Sequence, residues 1–214
     1  MKSFLIFDMD GVLLDSMPLW EHLGVDYLIA HGIQPTSGLR ERLLQMTMPE
    51  AAELFRAKFG MTDSAEKIIA EIDVMAEEFY TVKAPLKPGV AETLAELHRR
   101  GYHCVLATAT DRDLAQTALA RTGIVEYFQQ IFTCTELNLS KNDPEFFRYI
   151  LNALQVTQEE CVVIEDALHA IQTALACGID TYALYDESAH DVWARIQSIA
   201  TRSFLRFDQL LEVL

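Results

Sequence analysis

The residues best suited to chemistry in this 214-residue chain follow short apolar runs. Asp8 and Asp10 lead, in Phe7-Asp8-Met9-Asp10-Gly11-Val12. Two carboxylates one residue apart can act as a nucleophile and a proton shuttle, and the glycine lets the backbone approach a ligand closely. The same Asp-x-Asp-Gly string also occurs in plain turns and in calcium loops. The calcium reading fails because no third ligand and no closing Glu follow in register.

Three further clusters sit at comparable points. In Ala107-Thr108-Ala109-Thr110, Thr108 can offer its hydroxyl to an anion while backbone amides ahead of a helix do the same. Thr110, with Asp113 three residues on, reads as a helix-capping box. Lys141, in Leu139-Ser140-Lys141-Asn142-Asp143-Pro144, can neutralise a nucleophilic carboxylate and hold a phosphate oxygen. Glu165 and Asp166 follow the apolar run Cys161 to Ile164 and bring the acids at strand ends to four. At about 4 Å and an effective dielectric of about 20, each pair of like charges repels by roughly 4 kcal/mol, more than one lysine offsets. A divalent cation is expected, and all-oxygen ligands favour Mg²⁺ over zinc or copper.

These clusters need a sheet to hold them. Phe4 to Phe7, His103 to Ala107, Gln130 to Thr133, Cys161 to Ile164 and Asp180 to Leu184 read as buried parallel strands. Helical segments between the last four give the βα alternation of a doubly wound sheet. Pro88 reads as a first helical turn, Gly101 and Gly178 as helix ends, and Asp143-Pro144 as an N-cap followed by its first helical residue. Asp208 to Leu214 reads as a short amphipathic helix. The rhythm breaks after the first strand. From about Asp15 to Ala84 the chain reads as four helices marked by Leu19, Leu23 and Tyr27; Leu39 to Leu44; Ala51 to Phe59; and Ile68, Ile72, Met75 and Phe79. The expected organisation is an α/β core over residues 1–14 and 87–214, with a small helical domain inserted at 15–86.

Composition narrows the function classes. Half the residues are hydrophobic, and 17 Lys and Arg against 32 Asp and Glu leave a net charge of −15. So acidic a chain, with no basic patch, argues against nucleic acid or an anionic membrane as partner. The opening apolar run is interrupted by Asp8 and Asp10, so neither a signal peptide nor a membrane span is expected there, and a cytoplasmic, monomeric protein is. Cys104, Cys134, Cys161 and Cys177 lack metal-site or disulfide-framework spacing and read as reduced thiols.

The four clusters, in this order, resemble the four motifs of the haloacid dehalogenase superfamily of aspartyl phosphohydrolases. The resemblance spans nearly the whole chain. It is nearest to the subgroup with a helical cap after the first motif, which includes β-phosphoglucomutase and phosphoglycolate phosphatase. It implies a haloacid-dehalogenase-like core with an α-helical cap, and Mg²⁺-dependent hydrolysis of a small phosphorylated metabolite, a sugar phosphate by cap type. By resemblance Asp8 attacks phosphorus, and Asp10 protonates the leaving alcohol and then activates water. Mg²⁺ falls to the Asp8 carboxylate, the Asp10 carbonyl and Asp166, with Glu165 supporting the site from behind these ligands or through a water. Thr108, the Ala109 backbone and Lys141 grip the phosphoryl oxygens, and the cap excludes water and selects substrate, with Trp20, Met46, Thr47 and Met48 as candidates.

The departures bear on reaction type. Ala167 stands where the family commonly has Ser, Ala170 where glycine is common, and Asn142 where proline follows the lysine. β-Phosphoglucomutases place a histidine where this chain has Trp20 and an arginine where it reads Gln45-Met46-Thr47-Met48-Pro49. Without that clamp for a second phosphate, hydrolysis is expected over a phosphomutase reaction. A non-enzymatic phospho-acceptor module is the remaining alternative, disfavoured because Asp10 is present as a shuttle. The acidic surface is expected to slow an anionic substrate's arrival, so lower ionic strength should not raise the on-rate.

Overall fold

The computed structural model describes residues 2–43, 46 and 48–214. Strand β1 (Phe4–Phe7) is followed by helices α1 (Met17–Ala30), α2 (Leu39–Leu43), α3 (Met48–Phe59) and α4 (Ala65–Glu78), the last running into a wider helical turn at Phe79–Lys83. The chain then alternates: α5 (Val90–Arg99), β2 (His103–Thr108), α6 (Arg112–Arg121), β3 (Phe128–Thr133), α7 (Cys134–Leu137), α8 (Pro144–Leu154), β4 (Cys161–Glu165), α9 (Leu168–Ala176), β5 (Asp180–Leu184), α10 (Trp193–Ile199) and β6 (Arg202–Phe204). It divides into two compact units, Met1–Asp15 with Ala84–Leu214, and Ser16–Lys83.

The first unit is built on one parallel sheet of order β3-β2-β1-β4-β5-β6. Leu5, Ile6 and Phe7 are fully buried, as a central strand covered on both faces requires. Phe7 registers with Leu106 on one side and Ile164 on the other, so the residues just past it leave the sheet together. One face buries Ile6, Val105 and Val163 against Phe146, Phe147 and Ile150 of α8. Phe7 stacks on Phe207, whose short 3₁₀ segment Phe207–Glu212 takes the place of the helix expected at 208–214.

Several other local expectations are corrected. Pro88 does not open α5: Gly89, at φ 83°, is the N-cap, a left-handed position that a side chain would strain. The Thr110 and Asp113 capping box does not form, since Asp111 occupies the cap of α6. β3 starts at Phe128, two residues earlier than read, and β6 was not foreseen. By contrast Asp143 caps α8, accepting from the Glu145 N–H with Pro144 behind it. The return to the sheet unit comes at Ala84, before the boundary drawn at residue 87. Leu13–Asp15 and Pro85–Lys87 pair antiparallel, through Asp15 N–H to Pro85 O at 3.0 Å and Lys87 N–H to Leu13 O at 2.9 Å.

The second unit packs Leu23, Tyr27 and Leu28 of α1 against Ala52 and Phe55 of α3 and Ile68, Ile72 and Ala76 of α4. Its two buried tyrosine hydroxyls find partners within the unit: Tyr27 donates to Glu71 at 2.6 Å, and Tyr80 accepts from the Trp20 indole at 2.9 Å.

Candidate active site

Asp8 is the first residue past β1, and its N–H donates to Ile164 O of β4 at 3.0 Å. Between β1 and β4 the connections diverge to opposite sides of the sheet, which is where open α/β sheets form their binding crevice. Glu165 ends β4 one row beyond Ile164, level with Asp8, and Asp166 follows. The register thus brings together acids that lie far apart in sequence.

Lys141 arrives from the loop before α8. Its ammonium donates to Asp8 Oδ1 at 2.5 Å and to Glu165 Oε2 at 2.9 Å, and all three groups are buried. The second Glu165 oxygen accepts from the Ala167 N–H at 3.3 Å, which fixes the carboxylate's plane. Carboxylate oxygens of Asp8, Glu165 and Asp166 lie within 4.8 Å of one another. With all three acids ionised, the single ammonium would leave the cluster two negative charges in excess. Burial first, then the Glu165 charge, pushes the Asp8 carboxyl up to about 8 despite Lys141. Asp166 is driven well above the usual carboxylate range by burial and by Glu165 and Asp8. Burial opposes the charge on Lys141, but Asp8 and Glu165 outweigh it and hold the ammonium firmly protonated.

This donor set fits a hard divalent cation: buried, all-oxygen and short of two positive charges. The fourth acid of the sequence reading stands apart. The Asp10 carboxylate is not in the group of three; its Oδ2 accepts from the Thr110 hydroxyl at 2.7 Å. Thr108 ends β2 fully buried, with its hydroxyl oxygen accepting from the Thr110 N–H at 3.0 Å, and Ala109 between them is exposed.

Two contributors were missed. One is Thr110. The other is Lys87, whose ammonium reaches Gly11 O at 2.6 Å, Tyr185 O at 3.0 Å and Asp186 Oδ2 at 2.8 Å, tying the turn after Asp10 to the end of β5. Its only sequence signal was a lysine beside the Pro88-Gly89 corner. Trp20, Met46 and Met48 all line one cavity of about 270 Å³ inside the helical unit, with Phe55 and Ile72 among its other walls. Thr47 lies outside the described residues.

A family model described as haloacid dehalogenase-like hydrolase matches residues 4–178. The chain belongs to the haloacid dehalogenase-like hydrolases. Among curated members it is 26% identical over 209 residues to the phosphorylated carbohydrates phosphatase of Thermotoga maritima, covering 98% of this chain and 96% of that one. It is 28% identical over 174 residues to hexitol phosphatase B of Escherichia coli, covering 78% and 76%. A crystal structure from Thermotoga maritima, provisionally named a beta-phosphoglucomutase, superposes with a TM-score of 0.87 at 26% identity over 100% of both chains. This haloacid dehalogenase-like hydrolase is a phosphoric monoester hydrolase.

Proposed function

We propose that this hydrolase removes the phosphoryl group from a small phosphorylated carbohydrate, with Mg²⁺ as cofactor and a phosphoryl-Asp8 intermediate. The observation that carries the reading is the buried Asp8-Lys141-Glu165 chain at the β1–β4 switch point, with Asp166 beside it. The carbohydrate class rests on the names of the curated relatives.

Asp8 is the nucleophile. Its carboxylate oxygen bonds to phosphorus as the ester P–O bond breaks, and Asp10 gives its proton to the departing alcohol. Water then attacks the same phosphorus and passes a proton to Asp10. The Asp8–phosphorus bond breaks and inorganic phosphate leaves. Lys141 keeps Asp8 oriented and faces the phosphoryl oxygens, with Thr108 and the Ala109 amide as further donors. Asp8, Asp166 and the Asp10 carbonyl would hold Mg²⁺, with Glu165 supporting; when bound, the ion supplies charge neutralisation for the phosphoryl oxygens.

Hydrolysis is favoured over a mutase reaction by Trp20, which occupies the mutases' histidine position and whose indole N–H is engaged by Tyr80. Trp20, Met46, Thr47 and Met48 are assigned to substrate choice by the resemblance alone. The test is phosphate release from a panel of sugar, sugar-alcohol and other phosphomonoesters, with Mg²⁺ or with chelator. Mg²⁺-dependent release centred on carbohydrates is expected; release from none of them defeats the reading.

A further inference from the structure

The turn that carries Asp10 is held by backbone hydrogen bonds and by a lysine from outside it. Met9 O accepts from the N–H groups of Leu13 and Leu14, both at 2.9 Å, and the Gly11 N–H donates to Leu14 O at 3.0 Å. Gly11, at φ 77°, permits that reversal. Lys87 clamps the Gly11 carbonyl and is itself anchored on Tyr185 O and Asp186. With the main chain fixed, the direction of the Asp10 carboxylate depends on its side-chain torsions, and there the Thr110 hydroxyl meets it at 2.7 Å.

Thr110 is not occupied in capping, since Asp111 holds that position. Its own N–H donates to Thr108 Oγ1, so β2, Thr108, Thr110 and Asp10 form one hydrogen-bonded line leading from the rigid sheet to the carboxylate. We propose that Thr110 is the positioning residue of Asp10: it aims the proton-transferring carboxylate without itself touching the reacting atoms. This rests on the reading of Asp10 as proton donor.

A misplaced general acid costs most where the leaving group needs a proton. Because kcat/KM reports the steps up to phosphorylation of Asp8, the loss should depend on the leaving alcohol. Wild type, Thr110→Val and Thr110→Ser are to be compared on a sugar phosphate from the panel and on p-nitrophenyl phosphate, whose leaving group departs unprotonated. Thr110→Val is expected to lose about 10–100-fold in kcat/KM on the sugar phosphate and less than about threefold on p-nitrophenyl phosphate, with Thr110→Ser near wild type on both. Equal losses on the two substrates, or a serine variant as slow as the valine one, overturn the proposal. A crystal structure of Thr110→Val reads the same point without turnover: a displaced Asp10 carboxylate supports it and an unmoved one overturns it. Wild-type protein inactive on every ester would instead defeat the hydrolase reading, and the structure of the variant would still decide the role of Thr110.

Discussion

Lys141 donates to Glu165 Oε2 at 2.9 Å while its other hydrogen bond goes to Asp8, so Glu165 acts first as a buried partner of the lysine. Removing one member of such a buried ion pair leaves uncompensated charge, at a cost of about 3–5 kcal/mol. Lys141→Met is therefore expected to destabilise the cation-free protein by an amount in this range, and by more as pH rises and Asp8 and Asp166 ionise. Urea unfolding at several pH values measures it.

The excess negative charge of the Asp8, Glu165 and Asp166 group predicts that Mg²⁺ stabilises the fold. At a hundred times its dissociation constant, an ion that binds only the folded state adds about 2.7 kcal/mol. Thermal unfolding with and without Mg²⁺ should show the increment, and Asp166→Asn should abolish most of it.

Three of the strands, and the residues at their ends, were legible in the sequence. Val-, Ile- and Phe-rich runs ending in Asp8, Thr108 and Glu165 announce both the strands and what lies at their ends. What escaped the sequence was side-chain traffic between distant segments. Thr110 was read as a cap because a hydroxyl before a helix usually is one, and nothing local could reveal an Asp10 carboxylate from another strand within reach. Lys87 likewise finds its partners at Gly11 and Asp186, 76 and 99 residues away. β6 was missed because Arg202, Ser203 and Phe204 carry no apolar run; an edge strand paired on one side needs none.

Lys87 and Asp186 give the acid limb of stability. Burial raises the Asp186 carboxyl, but hydrogen bonds from Lys87 and Ser188 outweigh it and leave the group below its ordinary 3.8. A depressed carboxyl stabilises the fold above its unfolded value, and that contribution is lost as pH falls below about 4 through the folded value. Asp186→Asn should flatten the fall in stability over this range in acid unfolding curves. An unchanged acid limb would contradict the assignment.

Trp20 predicts the reaction's outcome. Incubation with a hexose 1-phosphate should give free sugar and inorganic phosphate in equal amounts and no 6-phosphate, as followed by phosphorus NMR. Interconversion of the two phosphates without phosphate release would establish mutase chemistry.

On the proposed reaction, Asp8 carries the phosphoryl group during turnover. Acid quench of the enzyme during turnover of p-nitrophenyl phosphate with Mg²⁺, followed by peptide mass mapping, tests it most directly. A single phosphoryl group is expected on the peptide containing Asp8, lost in Asp8→Asn together with turnover. A turning-over enzyme with no phosphoryl group on that peptide, or an Asp8→Asn variant with full activity, would contradict it.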